Sequence, residues 1–472
     1  MKFTSTRSLT EKDSLGTILR GLAPDGGLFL PREIPARKAF GPGAPDLSTL
    51  ADAERFALTS LFDDIPADVI EAAISNLLSK FPAEDPVPLV DAEPFKILEL
   101  FHGPTGAFKD VALSVLPVLM SAAAKREGAG KVLVLTATSG DTGSAAMAGF
   151  SGVPGVEVAV FFPNTGTSRV QRLQMTTPSA PNVHGIAIRG NFDDAQAAVK
   201  RIFSDAAFRE EAASKGVTLS SANSINTGRL VPQIAYYLLS ASRLGGSQFD
   251  VVVPSGNFGN ILAAYYAKLM GAPIRHFVCA SNVNDVLARF IATGVYDPGD
   301  KFTVTNSPSM DIRKSSNVER LLWLLNGGLE DPAAASAETK RLMDDFAANG
   351  KYELSPAAKE RLFAQFTGGV ATPDETEAEM RHMRADSRYI LDPHTAVATC
   401  VARKLGFPKD GVPCVVAATA TPYKFPETCL RAFGENVLNY PPPAFAALES
   451  APITQTKVVD VSEIDNAVRD CF

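Results

Sequence analysis

A single lysine stands in an apolar loop that glycine and proline residues shape. The stretch from Glu99 to Asp110 reads Glu-Leu-Phe-His-Gly-Pro-Thr-Gly-Ala-Phe-Lys-Asp, with Lys109 at the start of a helix predicted over 110–124. Burial in apolar surroundings lowers the pKa of a lysine, because it disfavours the charged form. A neutral amine attacks a carbonyl carbon to form a Schiff base. Lys109 is therefore a candidate nucleophile, and an ordinary surface lysine at a helix start is the alternative.

Two glycine-containing turns could bind anions. The turn Ser255–Asn260 (Ser-Gly-Asn-Phe-Gly-Asn) lies between a predicted strand and a predicted helix. Its backbone N–H groups and the positive potential of the helix start suit a phosphate. The turn Thr138–Gly143 (Thr-Ser-Gly-Asp-Thr-Gly) has the same placement, and its hydroxyl and N–H groups could bind a carboxylate. For both turns, a plain strand-to-helix connection with polar capping residues is the alternative.

Further polar side chains follow other predicted strands. Thr419 could hydrogen-bond a ring nitrogen, and the segment Asn223–Asn226 together with Arg229 supplies amides, a hydroxyl and a guanidinium. A guanidinium binds phosphate in a bidentate manner. His394 begins a predicted helix and is expected to be structural. Since no histidine clusters with Cys or Glu at metal-ligand spacing, we expect no metal ion.

These groups together match one cofactor and one class of substrate. A lysine, a phosphate turn, a carboxylate turn and a hydroxyl for a ring nitrogen are what pyridoxal 5'-phosphate and an amino acid require. In such enzymes the cofactor supplies the electron sink, while the protein supplies the lysine, the orientation and the electrostatics. The residues therefore predict a pyridoxal-phosphate enzyme that acts on a small-molecule amino acid.

The elements that must position these residues alternate between strand and helix. Short apolar runs predict strands over 131–135, 156–162, 183–188, 249–253, 274–280 and 412–418. Continuous apolar strands joined through helices predict an α/β fold with a parallel sheet covered on both faces. Ligands of such sheets bind beyond the carboxyl ends of the strands. The candidate turns follow these ends.

Two regions depart from the alternation. Residues 1–95 read as a helical, loop-rich N-terminal region, with an amphipathic helix predicted over 66–80. Residues 330–385 carry two proline-initiated helices with apolar stripes and many charges. We predict that this second region is a peripheral helical insertion without chemistry.

Composition excludes several classes of protein. The chain has 472 residues, of which 46% are hydrophobic and 21% charged, as in a globular protein of two or three domains. A net charge of −7 without a basic stripe argues against nucleic acid. Five widely spaced cysteines indicate free thiols in a reducing compartment. No secretory signal or membrane-spanning run is visible, so we expect a cytoplasmic protein without a membrane partner.

The order of the motifs resembles that of the threonine synthase family, pyridoxal-phosphate enzymes of the tryptophan-synthase-β-like fold. The resemblance extends over nearly the full length. It is carried by HGPTGAFKD at 102–110, TSGDTG at 138–143, GNFDD at 190–194, SANSIN at 221–226, PSGNFGN at 254–260, SPSMDI at 307–312, SSNVER at 315–320 and DPHTA at 392–396. Gly106, Thr421 and Tyr423 depart from the usual pattern, in which a larger residue, His and Ala stand.

The resemblance implies a fold and a division into domains. Two open, mostly parallel sheets covered by helices are expected, as in fold type II of pyridoxal-phosphate enzymes. We predict an N-terminal region (1–95), a large cofactor-binding domain (96–130 and 227–472) and a small substrate-clamping domain (131–226). The chain is expected to be a monomer or a small homo-oligomer.

The resemblance also implies roles for particular residues. Lys109 would be the Schiff-base lysine. The cofactor would contact Gly256, Asn257, Phe258, Gly259 and Asn260 through its phosphate, Thr419 through its pyridine nitrogen and Asp141 near its phenolic oxygen. Ser139 and Thr142 would lie near the substrate carboxylate. The candidates for the substrate phosphate are Asn191, Ser224, Asn226 and Arg229.

The family's reaction converts O-phospho-L-homoserine and water to L-threonine and phosphate, through γ-elimination and β-addition. Within the same fold, a threonine or serine dehydratase and an O-phosphohomoserine phospho-lyase are alternatives. A cofactor-binding protein without catalysis is the alternative from another class. A second phosphate site would discriminate against the dehydratase, whose substrate carries no phosphate.

Overall fold

The computed structural model describes residues 2–35, 38–138, 140–165 and 167–472. Its strands are β1 (Phe3–Ser5), β2 (Glu11–Lys12), β3 (Phe29–Pro31), β4 (Leu89–Ala92), β5 (Phe95–Glu99), β6 (Lys131–Ala137), β7 (Val156–Pro163), β8 (Val183–Arg189), β9 (Val217–Ser221), β10 (Phe249–Pro254), β11 (Ile274–Ser281), β12 (Val295–Tyr296), β13 (Tyr352–Glu353), β14 (Phe366–Val370), β15 (Cys414–Ala418) and β16 (Lys457–Asp460).

The α-helices are α1 (Ser14–Arg20), α2 (Leu50–Leu61), α3 (Ala67–Lys80), α4 (Lys109–Arg126), α5 (Asp141–Phe150), α6 (Arg169–Thr176), α7 (Phe192–Ser204), α8 (Ala206–Ser214), α9 (Thr227–Leu230), α10 (Pro232–Arg243), α11 (Gly259–Leu269), α12 (Val286–Thr293), α13 (Val318–Leu325), α14 (Pro332–Asn349), α15 (Pro356–Gln365), α16 (Pro373–Ser387), α17 (Pro393–Lys404), α18 (Pro426–Phe433), α19 (Pro443–Leu448) and α20 (Ile464–Arg469). Short 3₁₀ turns cover Pro308–Met310, Pro422–Lys424 and Val461–Glu463.

Two large sheets form the centre of the molecule, which confirms the predicted α/β class. The first has the strand order β14-β11-β10-β15-β5-β4 and is parallel except for β4. The second has the order β16-β8-β7-β6-β9 and is parallel throughout. The central strands β6, β7 and β10 are apolar and almost entirely buried. Such strands require cover on both faces of the sheet.

Three apolar clusters provide that cover. The largest joins one face of both sheets to the N-terminal helices, α4, α10 and α11. A second fills the other face of the six-stranded sheet, beneath α16 and α17. A third fills the other face of the five-stranded sheet, beneath α7, α8 and α20. Both faces of each sheet are therefore buried, and the ends of the strands remain available to a ligand.

The segment predicted to be a peripheral helical insertion, residues 330–385, contains two strands in addition to its helices. Besides α14, α15 and α16, it contributes β14, which pairs in parallel with β11 at the edge of the six-stranded sheet. The sequence of β14, Phe-Thr-Gly-Gly-Val, resembles a turn because of its two glycines. A Cβ at Gly368 would lie 2.7 Å from the Cα of Ala288, so glycine is required there by the close packing of α12. The second strand, β13, pairs with β12.

The chain ends are also more strand-rich than the sequence indicated. β1, β2 and β3 form a small antiparallel sheet within the N-terminal region predicted as helical and loop-rich. At the other end, β16 joins β8 at the edge of the five-stranded sheet. The predicted domain boundaries assign residues 457–460 to the large domain (96–130 and 227–472), whereas the structure places them in the five-stranded sheet of residues 131–226. The division into domains otherwise remains a prediction.

The described residues include no helix that combines the length and apolar character needed to cross a membrane. All five cysteines are buried and unbridged.

Candidate active site

The carboxyl ends of four parallel strands meet at one cavity of about 1860 Å³. In the five-stranded sheet, β6 leads into the wall residues Thr138, Asp141 and Thr142, and β9 leads into Asn223, Ser224 and Ile225. In the six-stranded sheet, β10 and β15 lead into 254–260 and 419–420. The cavity therefore lies between the two sheets, where a ligand of parallel α/β sheets is expected.

The loop that carries Lys109 is held by the chain that follows β15. The Phe108 N–H donates to the carbonyl of Thr419 (2.9 Å), and the Thr421 N–H donates to the carbonyl of Gly106 (3.0 Å). Lys109 is the first residue of α4 and lines the cavity. The backbone before the lysine is thus fixed to one sheet, while the amine faces the space between the two.

Asp110 closes the same loop from within. Its carboxylate accepts hydrogen bonds from the backbone N–H and the hydroxyl of Thr105, at 2.8 and 2.6 Å. Burial raises the pKa of Asp110, and the bonds from Thr105 and the charge of Lys424 moderate the rise. Asp110 therefore stabilises the loop conformation and does not point its charge at the cavity.

The amine of Lys109 is in the environment that the sequence predicted. Burial lowers the pKa of Lys109, the carboxylate of Asp141 opposes that effect, and the cations Lys424 and Arg229 add to the lowering. The Nζ of Lys109 lies 3.4 Å from Oδ2 of Asp141. A lowered pKa increases the fraction of neutral amine, which is the nucleophilic form of lysine.

Asp141 is the centre of the polar network at the cavity wall. Its Oδ1 accepts from Nζ of Lys424 (2.9 Å) and Nε2 of Gln171 (2.8 Å). Its Oδ2 accepts from Ser309 Oγ (2.9 Å) as well as from Lys109. Burial alone would raise the pKa of Asp141, but Lys424 and Lys109 hold it well below its ordinary value. Asp141 is therefore ionised.

His394, in the first turn of α17, contacts this network and also lines the cavity. Its Nε2 accepts from the backbone N–H of Ser309 (3.1 Å), and its Nδ1 lies 2.9 Å from Oδ1 of Asp392. Both contacts are satisfied by a neutral imidazole with its proton on Nδ1. His394 thus positions Ser309, whose hydroxyl donates to Asp141. The expectation of a structural histidine agrees with these contacts.

The turn at 256–260 leads from β10 into α11. Phe258 takes a left-handed conformation (φ 61°) immediately before the helix. A Cβ at Gly256 would lie 2.9 Å from the carbonyl oxygen of Ser309, so the close approach of the two chains requires glycine. The first N–H groups of a helix have no partner within it. Because the turn lines the cavity, it presents an anion site there.

Residues of the segment 315–317 hold that turn by its carbonyl groups. The Ser315 hydroxyl donates to the carbonyl of Gly256 (2.8 Å). The backbone N–H and the side-chain amide of Asn317 both donate to the carbonyl of Asn257, at 3.1 and 3.0 Å. With the carbonyls engaged by neighbours, the turn keeps its N–H groups for a ligand.

Two buried donors at the cavity have no acceptor in the described chain. The hydroxyl of Tyr237 donates to Oδ1 of Asn260, which leaves Nδ2 of that amide unpartnered. Nε of Arg229 is likewise unpartnered, although another guanidinium nitrogen donates to the carbonyl of Ala222. Unpaired buried donors are costly, so an anionic group is expected to occupy this space.

Other residues predicted from the sequence are distributed over three environments. Thr142, Ser224, Arg229 and Thr419 line the cavity together with the 256–260 turn. Asn226 is fully buried: its amide nitrogen donates to the carbonyls of Ile18 and Ser221, and its oxygen caps α9. Asn191 caps α7 from an exposed position. Ser139 lies outside the described residues.

Sequence reasoning missed three residues of the network: Gln171, Ser309 and Lys424. Ser309 lies in the SPSMDI segment and Lys424 in the polar segment after β15, so both were near recognised motifs. No local pattern distinguishes Gln171, which reaches Asp141 from α6.

The donor set fits pyridoxal 5'-phosphate. The unpartnered amide of Asn260 and the free N–H groups of the turn suit its phosphate, and the amine of Lys109 suits its aldehyde. Thr419 offers a hydroxyl on the same cavity wall.

Comparison with known proteins gives the same assignment. The family model described as pyridoxal-phosphate dependent enzyme matches residues 81–371. The models for the N terminus and the C-terminal part of threonine synthase match residues 2–51 and 395–468.

Whole-chain relatives agree. The threonine synthase of Schizosaccharomyces pombe is 39% identical over 439 residues, which cover 86% of this chain and 84% of the relative. A pyridoxal-phosphate-bound threonine synthase from Brucella melitensis has a TM-score of 0.89 and 35% identity, and the match covers 100% of this chain and 99% of that one. The structure of threonine synthase from yeast has a TM-score of 0.90 and 33% identity, and the match covers 100% of this chain and 98% of that one. This chain belongs to the threonine synthase family of pyridoxal-phosphate dependent enzymes.

Proposed function

We propose that this chain converts O-phospho-L-homoserine and water to L-threonine and inorganic phosphate, with pyridoxal 5'-phosphate held at Lys109. The observation that carries the proposal is the common cavity. Lys109, the glycine turn at 256–260 and Arg229 all line its wall. This supplies an attachment point, a site for one phosphate and a further cation for a second one.

The residues proposed to hold the cofactor are Lys109, the turn 256–260, Thr419 and Asp141. The turn would bind the phosphate through its N–H groups and the amide of Asn260. Thr419 would meet the ring nitrogen, and Asp141 would lie near the phenolic oxygen. Once bound, the cofactor supplies the electron sink that makes the carbon–hydrogen bonds of the substrate acidic.

Lys109 is also the proposed acid and base. Once freed by the substrate amine, the amine of Lys109 would remove protons from the α and β carbons of the substrate and return them to the α and γ carbons. The lowered pKa of Lys109 favours this exchange, because it increases the fraction of neutral amine, which is the form that can accept a proton. The leaving phosphate departs from the γ carbon, and water adds at the β carbon.

Substrate recognition is assigned to the remaining polar wall. Thr142 and Ser139 are proposed to hold the substrate carboxylate at the start of α5. Arg229 and Ser224 are our leading candidates for the substrate phosphate, because both line the cavity. Asn226 and Asn191 remain proposed for the same role, and their amides are engaged in the contacts described above.

Two finer properties complete the proposal. We infer a cytoplasmic enzyme without nucleic-acid or membrane partners, which the acidic composition and the unbridged cysteines support. We also infer a monomer or a small homo-oligomer.

The decisive experiment combines product analysis with a lysine substitution. With O-phospho-L-homoserine as substrate, the wild-type chain is expected to release phosphate and threonine in equal amounts. Lys109→Ala is expected to lose at least about a thousandfold in phosphate release, because it removes the attachment point together with the acid and base. Lys125→Ala, at an exposed lysine of the same helix, is the matched control and should retain full activity.

The products separate the alternatives. Phosphate release with 2-oxobutanoate in place of threonine would identify a phospho-lyase. Deamination of threonine or serine without any reaction of the phosphorylated substrate would identify a dehydratase. Normal phosphate release by Lys109→Ala would contradict the mechanism.

A further inference from the structure

Two lysines share the carboxylate of Asp141, which lies at the cavity wall. Lys424 approaches Oδ1 of Asp141 at 2.9 Å, and Lys109 approaches Oδ2 at 3.4 Å. The two amines come from different elements: Lys109 begins α4, and Lys424 ends the 3₁₀ turn after β15. One negative charge therefore lies between two potential positive charges.

The two lysines are not equivalent. The side chain of Lys424 is completely buried, and its Nζ also donates to the carbonyl of Thr105 at 2.8 Å. The side chain of Lys109 is 13% exposed, and its single hydrogen bond in the described structure is the longer one to Asp141. Lys424 is thus held by two short bonds away from solvent, whereas Lys109 is loosely held and reaches the cavity.

The other charged groups around the pair do not balance a second ammonium. Arg229 faces it from α9 and adds positive charge. From α17, Asp392 is engaged with His394 and Thr395. Asp110 accepts its hydrogen bonds from Thr105 and the N–H of Ala107, and Lys424 acts on it by charge, without a hydrogen bond between the two in the described chain. Asp141 is therefore the carboxylate available to both lysines.

A buried ammonium without its own counter-charge is unstable, and the less tightly held of two such groups loses its proton first. We propose that Lys424 is a positioning residue that neutralises Asp141, so that Lys109 is the lysine of the pair that releases its proton to the cavity water. A cationic neighbour is a known way to activate a lysine nucleophile. This inference rests on the proposed role of Lys109 as the attachment point.

The proposal predicts opposite effects of removing the two partners. Lys424→Met leaves Asp141 to Lys109 alone, which stabilises the ammonium and shifts its titration midpoint upward by about one pH unit. Asp141→Asn removes the stabilising charge and shifts the midpoint downward by about the same amount. Lys424→Arg keeps the positive charge and should leave the midpoint within about 0.3 unit of wild type.

The measurement is competitive amine labelling of the full chain before the cofactor is added. Acetic anhydride at pH 6–11, followed by mass spectrometry of the Lys109 peptide, gives the midpoint, with the exposed Lys125 as internal reference. The control variant is Lys268→Met. It removes another partly buried lysine, whose Nζ contacts Gln365 (2.6 Å) and a backbone carbonyl, and it should not move the midpoint of Lys109.

Shifts of opposite sign in Lys424→Met and Asp141→Asn support the proposal. Shifts of the same sign, or no shift in either variant, overturn it, because a purely structural ion pair would disturb both variants alike. If Lys424→Met fails to fold by circular dichroism, Lys424→Arg and Asp141→Asn decide. A wild-type midpoint in the first with a lowered one in the second supports the proposal, and any other result contradicts it.

Borohydride reduction of the cofactor-loaded wild type distinguishes this failure from failure of the proposed function. If borohydride fixes the cofactor to the Lys109 peptide, the proposed attachment at Lys109 is supported even where the labelling midpoints do not move and the Lys424 proposal fails. Absence of any fixed cofactor on Lys109 contradicts the proposed function itself.

Discussion

At the scale of single residues, burial sets the chemistry of the ionisable groups. Lys109 and Asp141 are both buried, yet their pKa values are lowered for different reasons. Burial is the chief cause that lowers the pKa of the Lys109 amine, whereas the charges of Lys424 and Lys109 lower the pKa of the Asp141 carboxylate. Environment thus decides which of several chemically similar groups becomes reactive.

Glu54 shows the same effect without any neighbour to compensate it. Both carboxylate oxygens are buried in α2 without a hydrogen-bond partner in the described chain. Burial raises the pKa of Glu54 well above its ordinary value. The folded state therefore binds a proton that the unfolded state releases, and stability falls as the pH rises above the unfolded pKa toward the folded one.

We expect Glu54→Met to stabilise the fold at neutral pH by about 1–3 kcal/mol, because it replaces an unpaired buried polar group with an apolar one of similar size. The gain should be larger at pH 8 than at pH 5. Urea unfolding of wild type and variant at both pH values measures it. Glu71→Met, on the exposed face of α3, should show no such pH-dependent gain, and an equal gain at both pH values for Glu54→Met would contradict the explanation.

At the scale of elements, two close approaches determine how the helices and loops near the lysine pack. The helix α4 contains Pro117, which cannot donate the hydrogen bond to the carbonyl of Leu113 that a helix would normally make. Gly149 of α5 packs against this carbonyl so closely that a Cβ would overlap the oxygen. The crossing of α4 and α5 thus depends on a glycine.

Gly149→Ala is expected to destabilise the protein by about 2–3 kcal/mol, because the backbone carbonyl cannot move away without distorting α4. Thermal and chemical unfolding measure the loss. Ala148→Ser adds one atom to the neighbouring, half-buried position of the same helix and should cost less than about 1 kcal/mol. Equal stability of the two variants would refute the close-packing argument.

The second close approach involves the departures at positions 106 and 421. Gly106 has a φ of 69°, and a Cβ there would lie 2.5 Å from Cγ2 of Thr421 and 2.6 Å from the ring of Phe445. Phe445 belongs to α19, which contacts α6 below the five-stranded sheet. The small residue at 106 therefore makes room for this helix next to the lysine loop.

We expect Gly106→Ala to lower stability by about 2 kcal/mol, through its left-handed backbone and the two clashes. Adding Phe445→Leu should recover part of the loss by removing one clash, while the backbone cost remains. A double-mutant cycle from urea unfolding gives the coupling between the two positions. Strict additivity of the two substitutions would show that residues 106 and 445 do not meet.

At the scale of the whole molecule, chain segments distant in sequence complete each sheet. The C-terminal strand β16 and helix α20 cover the five-stranded sheet, and Val459, Ile464 and Val468 are buried there. Lys131, at the start of β6, donates to the carbonyl of Cys471 at 2.8 Å. The last residues of the chain therefore belong to the structure that holds Asp141.

Truncation before Lys457 is expected to destabilise the five-stranded sheet by about 5 kcal/mol, since the apolar face that these three deleted side chains cover becomes exposed to water. Limited proteolysis should then cleave preferentially within residues 131–226, and cofactor loading should decrease. Lys457→Ala removes only an exposed ion pair with Asp470 and should cost less than about 1 kcal/mol. Unchanged protease resistance after truncation would argue against this role of the C terminus.

Local sequence patterns were sufficient to predict several parts of this fold. The candidate lysine loop, the glycine turn at 256–260 and the central strands β6, β7 and β10 could be predicted from glycine-rich turns and apolar runs, because each depends on neighbours within a few residues. The strand β14 could not, since its glycines serve a helix packed from elsewhere. The edge pairing of β16 is likewise set by β8 and not by its own four residues.

The electrostatics of the site depend on contacts between residues that are distant in sequence, so they required the three-dimensional structure. Three separate elements bring Lys424, Ser309 and Gln171 into contact with Asp141. Their spacing along the chain does not predict these contacts. The structure also showed that the amide of Asn226 is engaged in backbone contacts. Charge and hydrogen-bond satisfaction depend on distances through space, so they appear only once the two sheets have brought their strand ends together.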